Sequence, residues 1–233
     1  MPRLLVPAAL GLTLLLGGCA IATPPSSITS GTHAPLLPST LFAGGAESFT
    51  SWRCHPNQAL VTAAPEGELR LWSAHGAWRL QPAVVASGDR YEGEQVSFWN
   101  EGTDAIVETS RGRLECQAYM QRQAFTRQQR PGVMFLGRGN EPGWMASLAH
   151  DRPQLTLSLD YGTREQTLPY RVTALDNEAG RVVLASGRGD TPFELRIQAG
   201  ACLDDMSGEP FPARVTLTVD GEQYRGCGQG IAP

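Results

Sequence analysis

Short apolar or β-branched runs separated by turn residues extend over most of the chain after residue 45. They recur about every ten residues, and Gly, Asp and Asn stand between them. Asp220-Gly221, at the end of the last run, is a strong hairpin signal. No long stretch of this region has the helical period of about 3.6 residues. The pattern therefore predicts an all-β protein. The predicted strand segments are Leu69–Trp72, Trp78–Leu80, Gln95–Trp99, Ala105–Val107, Leu155–Leu159, Arg171–Val172, Val182–Leu184, Phe193–Ile197 and Arg214–Val219.

The chain begins with a different pattern. A short basic head containing Arg3 is followed by the apolar run Leu4–Leu16, which is shorter than the roughly 20 residues that a spanning helix needs. The run ends in Leu-Gly-Gly-Cys at Cys19, which resembles the bacterial lipobox. This resemblance implies a signal peptide over residues 1–18 and a lipid on Cys19. Ala20 then favours the outer membrane, facing the periplasm. The alternative is an ordinary secretory signal with an incidental cysteine.

Composition divides the mature chain into four parts. Residues 19–45 are rich in Pro, Ser, Thr and Gly, which predicts a flexible tether. Residues 46–121 form the first predicted β module and residues 132–233 the second. Between them, residues 122–131 are polar and basic, and we interpret them as a linker. We expect each module to be a small antiparallel barrel or sandwich.

Charge excludes one class of partner. The formal net charge is −4, and all 19 basic residues are arginines. Each module is acidic: residues 46–121 hold ten acids and six arginines, and residues 132–233 hold thirteen acids and nine arginines. Nothing in this distribution points to nucleic acid.

The chain has five cysteines, and removing Cys19 leaves four. Four cysteines allow three pairings. Only Cys54–Cys116 with Cys202–Cys227 keeps both bridges inside one module each, and an oxidising compartment favours their formation. A metal site would need ligand pairs two to four residues apart, and the sequence has no CxxC or HxxxH. We therefore expect no metal and no cofactor.

Several motifs of the first module stand in a specific order between its two cysteines. They are Trp52-Arg53-Cys54, Ala86-Ser87-Gly88-Asp89-Arg90-Tyr91, Phe98-Trp99-Asn100-Glu101-Gly102, Ala105 and Cys116. This set resembles the membrane-bound inhibitors of c-type lysozyme, a family of envelope lipoproteins built on a small β-barrel with one disulfide. The resemblance covers about 70 residues.

The resemblance implies a mechanism. Lysozyme cleaves its glycan with a protonated glutamic acid and an ionised aspartate. In the family, a serine and a lysine on two loops bond to these carboxyl groups. Carried over by motif, the serine is Ser87, but the lysine position holds Glu101, which reverses the charge. Arg90 is a candidate for the missing cation, and Tyr91 completes the Ser87 motif. Phe98, Trp99, Gly88 and Gly102 also have simpler interpretations, as packing and turn residues.

The second module resembles a family of bacterial envelope proteins of uncharacterised function, so no activity follows. Its motif residues, of unknown role, are Asn140, Glu141, Trp144, Asp204, Met206 and Ser207. Glu141 with Asp204 or Asp205 could form an acid–base pair for glycan chemistry. The preferred interpretation is that these residues cap turns, because they lie among Pro and Gly. No histidine has the surroundings of a catalytic triad.

The sequence therefore predicts a non-enzymatic envelope lipoprotein that inhibits c-type lysozyme through the Ser87 loop. The alternative is a structural or binding lipoprotein that has kept the inhibitor fold and lost that target. In that case its ligand would be cell wall or a protein partner.

Overall fold

The computed structural model describes residues 36–187 and 191–232. They form two closed antiparallel barrels of eight strands each, and in both barrels neighbouring strands follow one another in the chain. The predicted fold class, two disulfide-closed all-β modules, is confirmed. Cys19 and the predicted signal peptide lie outside the described residues. Among those described, no helix is of the length and apolar character needed to cross a membrane.

The strands of the first barrel are β1 (Ser48–His55), β2 (Gln58–Ala63), β3 (Leu69–Ser73), β4 (Gly76–Ala83), β5 (Asp89–Glu92), β6 (Val96–Glu101), β7 (Asp104–Thr109) and β8 (Gly112–Gln123). Strand β8 pairs with β1 and closes the barrel. Alternate side chains point inward, and they build a core around Trp52, Leu60, Leu71 and Phe98. Strand β3 is buried on both faces because its outward residues are covered as well.

The strands of the second barrel are β9 (Val133–Asn140), β10 (Gly143–Ala149), β11 (Gln154–Leu159), β12 (Arg164–Asp176), β13 (Arg181–Ser186), β14 (Phe193–Leu203), β15 (Pro210–Val219) and β16 (Glu222–Gly230). Strand β16 pairs with β9 and closes this barrel. Asp220 and Gly221 form the turn between β15 and β16, both with positive φ, as the hairpin signal predicts. A 3-10 turn at Asp160–Gly162 follows β11.

The predicted tether needs correction at its end. Leu37 and Leu41 are buried, and a 3-10 turn spans Ser39–Leu41. The indole Nε1 of Trp72 donates to the backbone oxygen of Thr40 at 2.7 Å, and Arg70 donates to the backbone oxygens of Ser39 and Phe42. Residues 37–43 of the tether are therefore packed rather than free, because Arg70 and Trp72 of β3 bind their backbone and the 3-10 turn contacts β14 and β15.

The predicted linker also begins too early. Arg122 and Gln123 belong to β8, and Arg122 is only 7% exposed. Its Nε donates to the backbone oxygen of Pro210 at 2.8 Å, and its Nη2 donates to Gln229 Oε1 at 2.9 Å. Its guanidinium also lies 3.9 Å from the centre of the Phe211 ring. Burial lowers the pKa of Arg122 to about 10, although nearby Glu209 favours the cation. This residue joins the two barrels.

Both predicted disulfides are present, and they occupy different places. Cys54 of β1 and Cys116 of β8 are direct cross-strand partners, so their bridge lies on the seam that closes the first barrel. Cys202 and Cys227 join β14 to β16 across the intervening β15. The second bridge therefore ties the start of the β14–β15 loop to the barrel.

Candidate functional site

The two loops that the family resemblance singles out meet at one end of the first barrel. Ser87 lies in the β4–β5 connection, and Glu101 ends β6. The hydroxyl of Ser87 donates to Glu101 Oε1 at 2.9 Å, and both side chains are exposed. The serine and the residue at the lysine position thus form one small polar surface, which we call the Ser87–Glu101 rim.

Close backbone packing holds the Ser87 loop against β6. The indole Nε1 of Trp99 donates to the backbone oxygen of Ser87 at 3.1 Å. Gly88 has a φ of +67°, and a Cβ there would lie 2.4 Å from the backbone oxygen of Asn100. Only glycine permits both this backbone conformation and this approach. Phe98 points into the core, as the simpler interpretation of it predicts, whereas Trp99 positions the loop.

Arg90 is engaged away from Glu101. It lies in β5 opposite Trp99, and its Nε is 2.8 Å from Glu92 Oε1. Among the described residues, no hydrogen bond or ion pair joins Arg90 to Glu101 or Ser87, so the structure does not support the expectation that Arg90 supplies the missing cation at the rim. Tyr91 packs against the barrel core, and burial together with the charge of Asp89 raises the pKa of its hydroxyl.

One residue of this loop was missed by the sequence reasoning. Val84, just after β4, has its side chain fully exposed. Single exposed apolar side chains are common on protein surfaces, so Val84 marks a contact surface only through its place on the same loop as Ser87. The sequence alone could have pointed to Val84, because Val84-Val85 is an apolar pair in a connection where turn residues are expected.

Glu101 also lines a cavity that contains other charged residues. A shallow cavity of about 470 Å³ lies on the outer face of β1, β8 and β7. Its charged lining residues are Arg53, Glu101, Asp104, Arg113 and Glu115. The cavity combines both signs of charge, with three carboxylates and two guanidiniums.

In the second barrel the motif residues form a turn. Asp204 is 6% exposed, and its Oδ1 accepts hydrogen bonds from the backbone N–H groups of Met206 and Ser207, at 3.2 and 2.8 Å. It also accepts from the Ser207 hydroxyl at 2.9 Å and from Asn140 Nδ2 at 3.0 Å. Burial opposes the charge of this carboxylate, but the hydrogen bonds outweigh it and lower the pKa of Asp204.

Neighbouring groups complete this turn. Asn140 Nδ2 also reaches Asp205 Oδ1 at 2.5 Å, and the hydroxyl of Tyr161 donates to the backbone oxygen of Asn140 at 3.0 Å. Arg138 pairs with Glu209, and its Nη2 lies 3.7 Å from Asp204 Oδ2. The cluster of Asn140, Asp204 and Ser207 is thus held by at least one partner at each side chain, and we call it the Asp204 turn.

The remaining motif residues lie apart from this network. Glu141 is exposed in the β9–β10 turn, and Met206 is 73% exposed. Trp144 is buried in the barrel core, and its indole donates to the backbone oxygen of Arg225 at 3.1 Å. A general acid needs a raised pKa, whereas that of Asp204 is lowered. The geometry therefore favours the turn interpretation of Asp204 over an acid–base pair with Glu141.

The residues that the structure describes contain no group of three or more His, Cys, Asp or Glu side chains arranged to hold a metal ion. Comparison with protein-family models and with curated proteins finds no match to this chain.

Proposed function

We propose that this protein is a non-enzymatic lipoprotein of the bacterial envelope whose first barrel inhibits c-type lysozyme. The observation that carries the proposal is the hydrogen bond between Ser87 and Glu101. It joins, on one exposed rim, the two positions that the family resemblance assigns to the inhibitory loops. The lipid on Cys19 and the outer-membrane location follow from the sequence pattern and belong to the same proposal.

The charge reversal at Glu101 suggests how this rim would bind. The general acid of lysozyme has a pKa of about 6, so it is largely protonated in mild acid, while the neighbouring aspartate is ionised. The carboxylate of Glu101 would accept a hydrogen bond from the protonated glutamic acid. The hydroxyl of Ser87 would leave Glu101 and donate to the aspartate. Both bonds are charge-assisted, which makes them stronger than neutral ones.

Val84 supplies an apolar contact for the same complex. Its side chain is fully exposed in the free protein, and it would be covered when the loop enters the lysozyme cleft. Burial of an apolar side chain of this size contributes about 1.5–3 kcal/mol. The net negative charge of the first module would also speed the encounter with a cationic lysozyme.

The test is residual lysozyme activity on cell wall during titration with the purified full chain. We expect inhibition by the wild type and at least about tenfold weaker inhibition by Ser87→Ala, because a charge-assisted bond is lost. Ser110→Ala is the matched control, since Ser110 is an exposed serine in the β7–β8 turn. Wild-type protein that is inert at micromolar concentration would end the proposal.

The pH dependence tests the role of Glu101. Inhibition by the wild type should be stronger below about pH 6 than above it, because Glu101 needs a protonated partner. Glu101→Lys should reverse this trend, since an ammonium group prefers both lysozyme carboxyl groups ionised. Glu94→Lys adds the same charge at another exposed loop position and serves as the control. The same pH trend in wild type and Glu101→Lys would exclude a direct contact by Glu101.

A second candidate function has its own observation. In the free protein the hydroxyl of Ser87 is already occupied by Glu101, a carboxylate of this same chain. An inhibitor fold that satisfies its own serine could have turned to another ligand, such as cell wall or a protein partner. Cosedimentation with isolated cell wall, unchanged by Ser87→Ala and without lysozyme inhibition, would favour this second function.

A further inference from the structure

Three arginines surround one threonine on the outer face of the second barrel. Thr216 of β15 lies directly opposite Arg225 of β16 on one side and Arg196 of β14 on the other. Arg214 lies two residues earlier in β15 and so faces the same way. Direct cross-strand neighbours have their Cβ atoms about 5 Å apart, and residues two apart in a strand are separated by roughly 7 Å. All four side chains can therefore reach one small ligand.

These residues line a broad groove. Its volume is about 720 Å³, and its floor is the outer face of β14, β15 and β16. All three arginines are exposed, and Thr216 is half-buried between them. The lining also includes Arg138 and Thr218. The lining therefore holds four guanidiniums against three carboxylates.

The carboxylates that line the groove already have partners, and for Glu194 the partner is an arginine of the cluster itself. Glu194 Oε1 is 2.5 Å from Arg196 Nε. Asp204 and Asp205 accept hydrogen bonds from Asn140 at one end. Among the described residues, neither of the other two central arginines makes an ion pair: Arg225 donates to Gln223 Oε1, and Arg214 donates to the backbone oxygen of Ala74.

The three guanidiniums repel one another, and among the described residues only Arg196 has a carboxylate partner, Glu194. Arg214 is the diagonal cross-strand neighbour of both Arg196 and Arg225, a separation of about 7–8 Å that long side chains can span. An anion bound at the centre would remove the repulsion. The guanidinium fork matches phosphate and carboxylate oxygens. A phosphomonoester carries a charge of about −1.5 to −2 and three acceptor oxygens, so it can satisfy three arginines at once, whereas a carboxylate has two oxygens.

We propose that Arg196, Arg214, Arg225 and Thr216 form a binding site for a phosphomonoester group, either free or carried by a sugar or a lipid. The site lies on the second barrel and is independent of the lysozyme proposal. The arginines bind the phosphate oxygens, and the hydroxyl of Thr216 donates to one of them.

Isothermal titration calorimetry of the full chain with glucose 6-phosphate tests this site. We expect saturable binding by the wild type and no binding of glucose. Arg225→Gln should weaken binding at least about tenfold, because a charged hydrogen-bond donor is lost. Thr216→Val, which keeps the β-branched shape, should weaken it several-fold. Arg111→Gln removes an exposed arginine from the β7–β8 turn and should change nothing. Glucuronate, with a carboxylate in place of the phosphate, should bind more weakly than glucose 6-phosphate.

Titrations with inorganic phosphate and with a short-chain phosphatidic acid then show whether the site prefers free phosphate or a phosphate carried by a sugar or a lipid. Binding of all three probes, lost together in Arg225→Gln, indicates a site for the bare phosphate, and much tighter binding of one carrier identifies it. Arg225→Lys keeps the charge without the fork and should bind with intermediate affinity. The proposal is overturned if glucose 6-phosphate binds no better than glucose. It is also overturned if Arg225→Gln and Arg111→Gln weaken binding equally, since that would indicate nonspecific charge attraction.

Discussion

The two barrels share a topology and differ in how they hold the residues that the sequence singles out. In the first barrel, the Ser87–Glu101 rim is exposed, and one side-chain hydrogen bond joins its two members. In the second, Asp204 is buried at the centre of its turn, and one of its carboxylate oxygens accepts four hydrogen bonds. A motif residue that is saturated by its own chain stabilises the fold. A motif residue that is exposed and lightly held is free to exchange its partner for another molecule.

The two disulfides also differ in what they hold in place. The first joins the opening and closing strands of its barrel over a separation of 62 residues, and the second spans 25 residues and ties down the loop that carries Asp204. The first therefore secures a barrel seam, whereas the second secures a turn on the barrel surface.

Removal of the disulfides has the largest expected effect on stability. Cys54→Ser with Cys116→Ser should lower the free energy of unfolding by about 4 kcal/mol in the chain-entropy model, and Cys202→Ser with Cys227→Ser by roughly 3.5 kcal/mol. Denaturant unfolding measures both. Hydrogen exchange separates them: the first variant should expose amides of β1 and β8, and the second those of Asp204 and Gly208. The same exchange pattern in both variants would contradict the different roles.

Loss of the Asp204 charge should have a smaller effect. Asp204→Asn keeps the shape but converts charge-assisted hydrogen bonds to neutral ones, which should lower the free energy of unfolding by roughly 1–2 kcal/mol at neutral pH. Because folding lowers the pKa of Asp204, its stabilisation is present above the ordinary carboxyl pKa and is lost as pH falls through the folded value.

The difference in stability between wild type and Asp204→Asn should therefore shrink in acid. Asp89→Asn is the control, because Asp89 is an exposed aspartate of the first barrel, outside this hydrogen-bond network. An equal loss of stability in the two variants would argue against a special role for Asp204.

Ser87→Ala has the smallest expected effect on stability. The bond to Glu101 is exposed to solvent, and a surface substitution of this kind changes the free energy of unfolding by at most about 0.5 kcal/mol. Thermal or denaturant unfolding checks this. A loss as large as that of Asp204→Asn would mean that the rim is a structural element like the Asp204 turn.

The sequence predicted the features that depend on local patterns. The alternation of Leu155–Leu159 and Arg214–Val219 predicted strands, and Asp220-Gly221 predicted the hairpin turn between β15 and β16. Cysteine counting predicted both bridges. These signals rest on neighbouring residues or on simple combinatorics, so they needed no knowledge of the packing.

Features that depend on distant contacts were not predictable in this way. Arg122 lies in a polar stretch typical of a linker, and only the approach of Pro210 and Phe211 makes it a buried residue. Leu37 and Leu41 lie in a composition typical of a tether, but they are buried in a core cluster that includes residues of β14 and β15. The cluster around Thr216 arises from the register of three strands, which no local pattern specifies.

We propose that the Ser87–Glu101 rim acts on a partner, whereas the Asp204 turn supports the fold. The most direct test is the inhibition constant for c-type lysozyme, measured for folded wild type, Ser87→Ala and Asp204→Asn. We predict at least about tenfold weaker inhibition for Ser87→Ala and an unchanged constant for Asp204→Asn. Inhibition that survives Ser87→Ala but is lost in folded Asp204→Asn would contradict the account and move the functional surface to the second barrel.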